Sequence, residues 1–367
     1  MSCSNPNPVL RWRWPMAREL VEKWRLEGDL VLDSDLSTWG GADDWVSDQP
    51  VARSGDGTVY IPASSLAGAV RSYFEYSGAA FAHNSVHNRI WGNIRGRSSK
   101  SSQEGDYTSF LLFDDCLLKP GNGETVLRLR DGVWIDRVEG RASSNIKYDR
   151  ETVLSGNRFG FSLVAEIPAD PAFADAVRDT FFMIAEALKS GRIALGAASS
   201  RGMGQVHAEE LHWRKLPLND TAAFLDAFEN GEWLLASGLE GRLKRLSRPG
   251  RLEIKLNWRP LGSVMVKESG ETLVFGAYPF SSPVSGRVVP TLPGSSVKGA
   301  LRAAAERIMA TLAEEGEYGK DDREGFRAYI ARHDLVVALF GRDREPEEAE
   351  AMMEKKACLR EIGPELS

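Results

Sequence analysis

A chain that writes the same eleven-residue phrase twice is constrained to build part of its fold twice. Here the phrase reads Ile61-Pro62-Ala63-Ser64-Ser65-Leu66-Ala67-Gly68-Ala69-Val70-Arg71, and then Leu292-Pro293-Gly294-Ser295-Ser296-Val297-Lys298-Gly299-Ala300-Leu301-Arg302. The shared frame is apolar-Pro-small-Ser-Ser-apolar-x-Gly-Ala-apolar-Arg. The copies stand too far apart for a short solenoid repeat and point to two homologous domains in tandem. Pro and a small residue end an extended segment, and the serine pair caps the helix that follows. Such a helix start offers backbone N–H groups and the positive end of a dipole, which suit a phosphate. Arg71 and Arg302 lie two turns into their helices, where a guanidinium reaches the same anion.

The 367 residues suffice for two domains of ordinary size. With 42% hydrophobic and 27% charged residues, the chain reads as a soluble globular protein. No apolar run approaches the roughly 18 residues that span a bilayer, so no membrane partner is expected. Met1 to Pro15 lacks the apolar stretch of a secretory signal. Cys3, Cys116 and Cys358 are scattered and odd in number, which argues for a reducing, cytoplasmic setting and against a disulfide framework or a structural zinc site. A net charge of −6 means that any nucleic-acid contact must use local basic patches.

The pattern places a first domain over residues 16–215, a basic connector over 216–250, and a second, partial domain over 251–367. Gly28 to Leu36 reads as a strand and its exit, and Arg18 to Leu26 as either helix or strand. A polar loop fills 37–59, and a serine-capped helix runs from about Ser64 to Ala80. Phe110 to Leu118 and Arg158 to Ile167 alternate like strands. Phe173, Val177, Phe181, Ile184 and Leu188 share one face of a helix over Ala172 to Ser190, closed by Gly191. Ile193 to His207 holds a glycine-rich turn between short strands. Leu252 to Trp258 alternates like a strand, and Ser295 opens a helix to about Leu312. The charged stretches 313–330 and 342–356 are solvated faces or loops. The second domain counts as a half copy.

Several phrases, in order, resemble the RAMP superfamily and, within it, the backbone subunits of type III CRISPR effector complexes. They are Asp48-Gln49-Pro50-Val51-Ala52-Arg53 followed by Tyr60 to Leu66; Ile90-Trp91-Gly92; Ile135-Asp136-Arg137-Val138 followed by Phe159-Gly160-Phe161; and the glycine-rich Leu195 to Val206. The resemblance implies an α+β fold of tandem ferredoxin-like (RRM-like) RAMP domains, with twisted antiparallel sheets and long loop or thumb insertions. It implies a CRISPR RNA held along its backbone, a target single-stranded RNA paired to it, and neighbouring effector subunits in an antiviral ribonucleoprotein. It also implies an endoribonuclease in which an Asp of the first long loop cuts target RNA with Mg²⁺ or Mn²⁺. Asp48 matches that Asp. The second domain has Phe280-Ser281-Ser282-Pro283-Val284, with Ser in its place, so it resembles an inactive copy. The first copy departs from the family at Ala63 and Ala67, where the second keeps Gly294 and Lys298.

Asp48 is therefore both the catalytic and the metal candidate, since a hard cation takes one or two carboxylates plus phosphate. The alternative for it, and for its neighbours Asp43 and Asp44, is solvated turn chemistry. Arg201 sits in a Gly-flanked turn that lets backbone approach RNA closely, or is simply exposed in a hairpin turn. Ser64, Ser65, Arg71 and Arg53 in the first domain, and Ser295, Ser296, Lys298 and Arg302 in the second, are the backbone-holding candidates. Ordinary capping and salt bridging are the alternative. Arg137, Arg141, Lys147 and Arg150 lie in the expected thumb hairpin, where phosphate contacts supply sequence-independent affinity, or form a solvated charged loop. His83 and His87 are spaced as a helical metal pair but lack a third ligand. A non-catalytic scaffold, a CRISPR RNA-processing endoribonuclease of the same superfamily, and an unrelated α+β adaptor are the competing readings.

Overall fold

A computed structural model describes residues 18–41, 47–76, 86–92, 108–121, 126–135, 142–238, 254–267, 278–284, 287–312 and 323–341. Asp43, Asp44, His83, Arg137, Arg141, the basic stretch near 242–251 and the charged stretch 342–356 lie outside the described residues, as do the side chains of His87 and Lys147. The chain divides into two compact units. The first holds residues 1–134 and 143–291, and the second residues 135–142 and 292–367.

In the first unit the elements follow in chain order: β1 (Leu20–Leu32), β2 (Tyr60–Ile61), α1 (Ala63–Tyr76), α2 (Val86–Trp91), β3 (Leu111–Phe113), β4 (Cys116–Leu117), β5 (Leu127–Ile135), β6 (Ala142–Val153), β7 (Arg158–Pro168), α3 (Pro171–Lys189), β8 (Val206–Pro217), α4 (Thr221–Glu229) and β9 (Leu234–Leu235), with a 3-10 turn at Ser199–Arg201 between α3 and β8. The main sheet has the order β3-β7-β1-β8-β9, and every neighbouring pair is antiparallel. Without the short edge β9, this is the βαββαβ arrangement of a ferredoxin-like domain, with the first and third core strands at the centre. β1 is one 13-residue strand, so the residues that read as helix or strand are strand. A register shift between Glu27 and Asp29 against β8 lets it bend.

The alternation expected for Arg158 to Ile167 appears as a near-perfect in-out burial of β7. Its inward residues Phe159, Phe161, Leu163, Ala165 and Ile167 meet Leu66, Val70 and Phe74 of α1 and Phe173, Val177, Phe181 and Ile184 of α3 in one core. Asp170 starts α3 by accepting the Ala172 N–H, with Pro171 in the first turn. Helix α1 begins one residue ahead of the serine pair, so Ser64 and Ser65 stand inside its first turn rather than at the cap. Burial in this core pushes the Cys116 thiol up to about 12, which keeps it protonated and inert.

Among the described residues three small ribbons accompany the sheet, β2 with β4, β5 with β6, and β10 (Ser281–Val284) with β11 (Arg287–Pro290). Residues 254–266 form neither helix nor strand, and Ile254, Leu256 and Trp258 are exposed. The strand expected at Leu252–Trp258 has no partner to pair with among the described residues.

The second unit contains three mutually packed helices, α5 (Gly294–Leu312), α6 (Arg323–Arg332) and α7 (Asp334–Phe340). Its compact body begins at residue 292, and residues 252–291 group with the first unit instead.

Candidate functional site

The loop after β1 is folded back on itself. The Ala52 N–H donates to the Thr38 carbonyl, and the Gly40 N–H to that of Pro50. This return lays residues 48–51 beside the end of β6. The Glu151 N–H donates to the Gln49 carbonyl at 3.0 Å, and the Val51 N–H to the Glu151 carboxylate at 3.0 Å. Asp48 and Asp149 exchange bonds across this seam. The Asp48 N–H donates to Asp149 Oδ1 at 2.7 Å, and the Asp149 N–H to Asp48 Oδ2 at 3.2 Å. Two half-buried carboxylates from segments a hundred residues apart are thus held side by side.

The β5–β6 ribbon is the expected hairpin, and its alternation sorts charge by face. Arg128 and Arg130 on β5 share a face with Tyr148 and Arg150 on β6. The Tyr148 ring lies where a side chain on Gly132 would stand, and it has the Arg150 guanidinium 5.7 Å from its centre. Arg130 sits 4.6 Å from the Phe280 ring centre and 3.7 Å from Asp35. Arg128 donates to the Ser281 carbonyl at 2.6 Å, and Arg150 Nε to Gln49 Oε1 at 2.7 Å. Burial pulls the Arg130 guanidinium below its usual range, Asp35 opposing this while Arg128 and Arg150 add to it. Burial does the same to Arg150, with Tyr148 opposing and Arg201 adding.

Arg201 joins this cluster from the glycine-rich loop, its Nη1 lying 3.4 Å from the Tyr148 hydroxyl. The loop is fixed at its root. The Leu195 N–H donates to the Gly204 carbonyl and the Ala197 N–H to that of Ser37. At Gly204, with φ of +71°, a Cβ would stand 1.8 Å from the Leu195 oxygen, so only glycine fits. The structure therefore brings Asp48 and Arg201 to opposite sides of one strand, β6, which also carries the candidate Arg150, and adds Arg128, Arg130, Tyr148 and Asp149. The alternation of Arg128 with Arg130 was the sequence signal for these residues. It became informative only once the partner strand was known.

The remaining candidates of the first unit are already engaged or lie elsewhere in it. Arg53 is paired with Glu151 at 2.7 Å. Ser64 and Ser65 are exposed at the start of α1, but the first helical amide, that of Ala63, already donates to Asp115 at 2.7 Å. Arg71 pairs with Glu75 at 2.9 Å. In the second unit Ser295 and Ser296 are exposed and Lys298 is half-buried. Arg302 is not on the helix surface as expected. It is only 5% exposed, and its guanidinium bonds Glu306 at 2.8 Å, the Gly341 carbonyl at 2.9 Å and the Ala331 carbonyl at 3.4 Å. That geometry makes it the strut joining α5 to α6 and α7 and turns it away from any ligand at the helix start.

No cluster of three or more His, Cys, Asp or Glu side chains suited to a metal occurs among the described residues. The Asp48–Asp149 pair remains compatible with a hard cation that keeps several waters and takes further oxygens from a phosphate. No helix among the described residues is long and apolar enough to cross a membrane.

A family model for the RAMP superfamily matches residues 35–207 and 283–356, together well over half of the chain. The first match spans the folded-back loop, the hairpin and the glycine-rich loop, and the second contains the repeated serine phrase. No curated protein matches the chain. Among solved structures, a crystal structure of a Csm3-Csm4 subcomplex in the type III-A CRISPR-Cas interference complex is 19% identical, with 61% of this chain and 96% of that chain covered at a TM-score of 0.37.

Proposed function

This chain belongs to the RAMP superfamily, and from that premise we propose that it is an RNA-binding backbone subunit of a type III-like CRISPR effector complex whose first copy cuts guide-paired target RNA. The observation that carries this reading is the charge sorting at the end of β6. Asp149 meets Asp48, while Arg150 and Tyr148 gather Arg128, Arg130 and Arg201 on the ribbon's basic face. A guanidinium group holds non-bridging phosphate oxygens without reading the base. Tyr148 offers a ring edge and hydroxyl within the same cluster. A polyanion held on the basic face would reach the carboxylate pair by passing round the end of β6, because the two lie on opposite sides of that strand. Asp48, with Asp149 beside it, would hold Mg²⁺ or Mn²⁺, and such an ion supplies Lewis-acid polarisation of the phosphate. The serine-led starts of α1 and α5 add two further phosphate-holding positions, of which α5, with Lys298 a turn inside, is the more favourable.

The test is cleavage of a guide-complementary RNA by the assembled complex. Asp48→Ala is expected to reduce the rate at least a hundredfold, and chelation of divalent ions to abolish it, while guide RNA still co-purifies. Cleavage unchanged in Asp48→Ala would overturn the catalytic reading.

A second reading, a non-catalytic RNA scaffold, is favoured by the bond Asp48 accepts from the Asp149 amide. That bond gives the carboxylate a purely structural task at the seam. Under it, Asp48→Asn, which keeps the acceptor, leaves every RNA-dependent property unchanged.

A further inference from the structure

A lone exposed tryptophan says little, but one whose backbone is clamped says more. Trp39 is 64% exposed, while Ser37, Thr38, Val51 and Ala52 around it are buried. The Ala52 N–H bonds the Thr38 carbonyl at 2.8 Å and the Gly40 N–H bonds that of Pro50 at 2.9 Å, one tie on each side of the ring. The Ala197 N–H, from the loop that carries Arg201, bonds the Ser37 carbonyl at 2.9 Å. Trp39 therefore stands on the strip of backbone that joins the Arg201 loop to the Asp48 segment.

Alternation gives the direction of the ring. Trp39 and Val51 are a bridged antiparallel pair, so their side chains share one side of the folded-back loop. Gln49, two residues from Val51, shares that side as well. Gln49 Oε1 accepts from Arg150 Nε at 2.7 Å, which makes the side continuous with the basic face of Tyr148, Arg150 and Arg201. Asp48, one residue along, turns the other way, to Asp149.

We propose that Trp39 is a stacking platform for an unpaired nucleobase of a single-stranded RNA whose phosphates lie on the basic face. The proposal rests on the RNA-binding reading and adds a base contact to it. The chemistry selects this occupant. An indole beside guanidinium groups suits a ligand that carries a flat π-face and a phosphate in one unit, which is a nucleotide. An apolar protein surface would cover the ring but strip the neighbouring guanidinium groups of water without replacing it. A base inside a duplex has both faces taken by its neighbours, so the indole receives one that is unpaired. It meets no base edge, and stacking of this kind tolerates any sequence.

The experiment titrates two probes onto the full chain by fluorescence anisotropy: a short oligouridylate, and a ribose-phosphate strand of the same length without bases. Trp39→Ala is expected to weaken oligouridylate binding by about fivefold to a hundredfold and to change the affinity of the abasic strand less than about twofold, since phosphate contacts alone hold it. Trp39→Phe keeps a ring and should recover most of the loss. Arg150→Ala should weaken both strands alike. A 5-bromouridine-substituted oligouridylate, photo-crosslinked to the wild-type chain, should leave its adduct on Trp39, a readout that needs no variant. Unchanged oligouridylate binding in Trp39→Ala, equal losses on both strands, or an adduct elsewhere each overturn the platform. If Arg150→Ala still weakens both strands in those cases, the RNA-binding reading stands without it. A wild-type chain that binds neither strand overturns both.

Discussion

In both copies of the serine phrase the proline carbonyl accepts from the residues three and four positions on, Pro62 from Ser65 and Leu66, Pro293 from Ser296 and Val297. Beyond that shared turn the two helices part. In front of α1 the Asp115 carboxylate receives the Ala63 amide, whereas α5 carries Lys298 where α1 has Ala67. Arg71 lies at the surface beside Glu75 and its apolar neighbours are buried, while Arg302 is buried and its apolar neighbours are exposed. The local phrase sets the helix start, and the elements packed around it decide which side of the helix faces inward. Corresponding residues thereby acquire opposite tasks.

The largest expected contrast concerns the apolar positions. Leu66→Ala should cost about 2–5 kcal/mol in urea unfolding of the first unit, as for other fully buried leucines, and Leu301→Ala no more than about 0.5 kcal/mol in the isolated chain. Equal costs would break the comparison by showing that α5 also seals a core. Next comes the arginine pair. Arg302→Ala strands two helix-end carbonyls and a glutamate, with an expected cost of about 1–3 kcal/mol, against about 0.5 kcal/mol or less for Arg71→Ala, whose ion pair is half-solvated. Differential scanning calorimetry resolves the two units, and only the second should shift for Arg302→Ala. The smallest contrast lies at the helix starts. Asp115→Asn removes a negative charge ahead of α1 and should strengthen single-stranded RNA binding about twofold to fivefold, whereas Lys298→Ala weakens it by a similar factor, in line with about 0.3–1 kcal/mol per charge near a helix terminus. For Lys298→Ala the slope of log affinity against log salt should fall by about one. An unchanged slope would sharpen the contrast differently, showing that α5 grips no phosphate.

Much of the first unit was legible because it rests on local periodicity. The strict alternation of Arg158 to Ile167 and the five-residue apolar face of α3 name their elements without help. The glycine-rich loop was legible because Gly204 occupies a position that no side chain could. The Asp48–Asp149 pairing was not, since it joins residues 101 positions apart through backbone amides. Arg302 was misplaced for a related reason: its position in the phrase matches Arg71, and bonds to carbonyls of Ala331 and Gly341, some thirty and forty residues on, draw it inward. Leu252 to Trp258 has the alternation of a strand, but a ladder needs a second strand, and pattern alone cannot provide one.

The notch at Gly132, filled by the Tyr148 ring, has a consequence for errors in assembly. β6 alternates Tyr148, Asp149, Arg150 and Glu151, so sliding the ribbon by one residue would put carboxylates where guanidinium groups stood and repel any polyanion. A ring seated over a missing side chain holds only one alignment. Gly132 thus works as a keyway, and widening or plugging it would let a mis-threaded hairpin survive as a folded but electrostatically inverted protein.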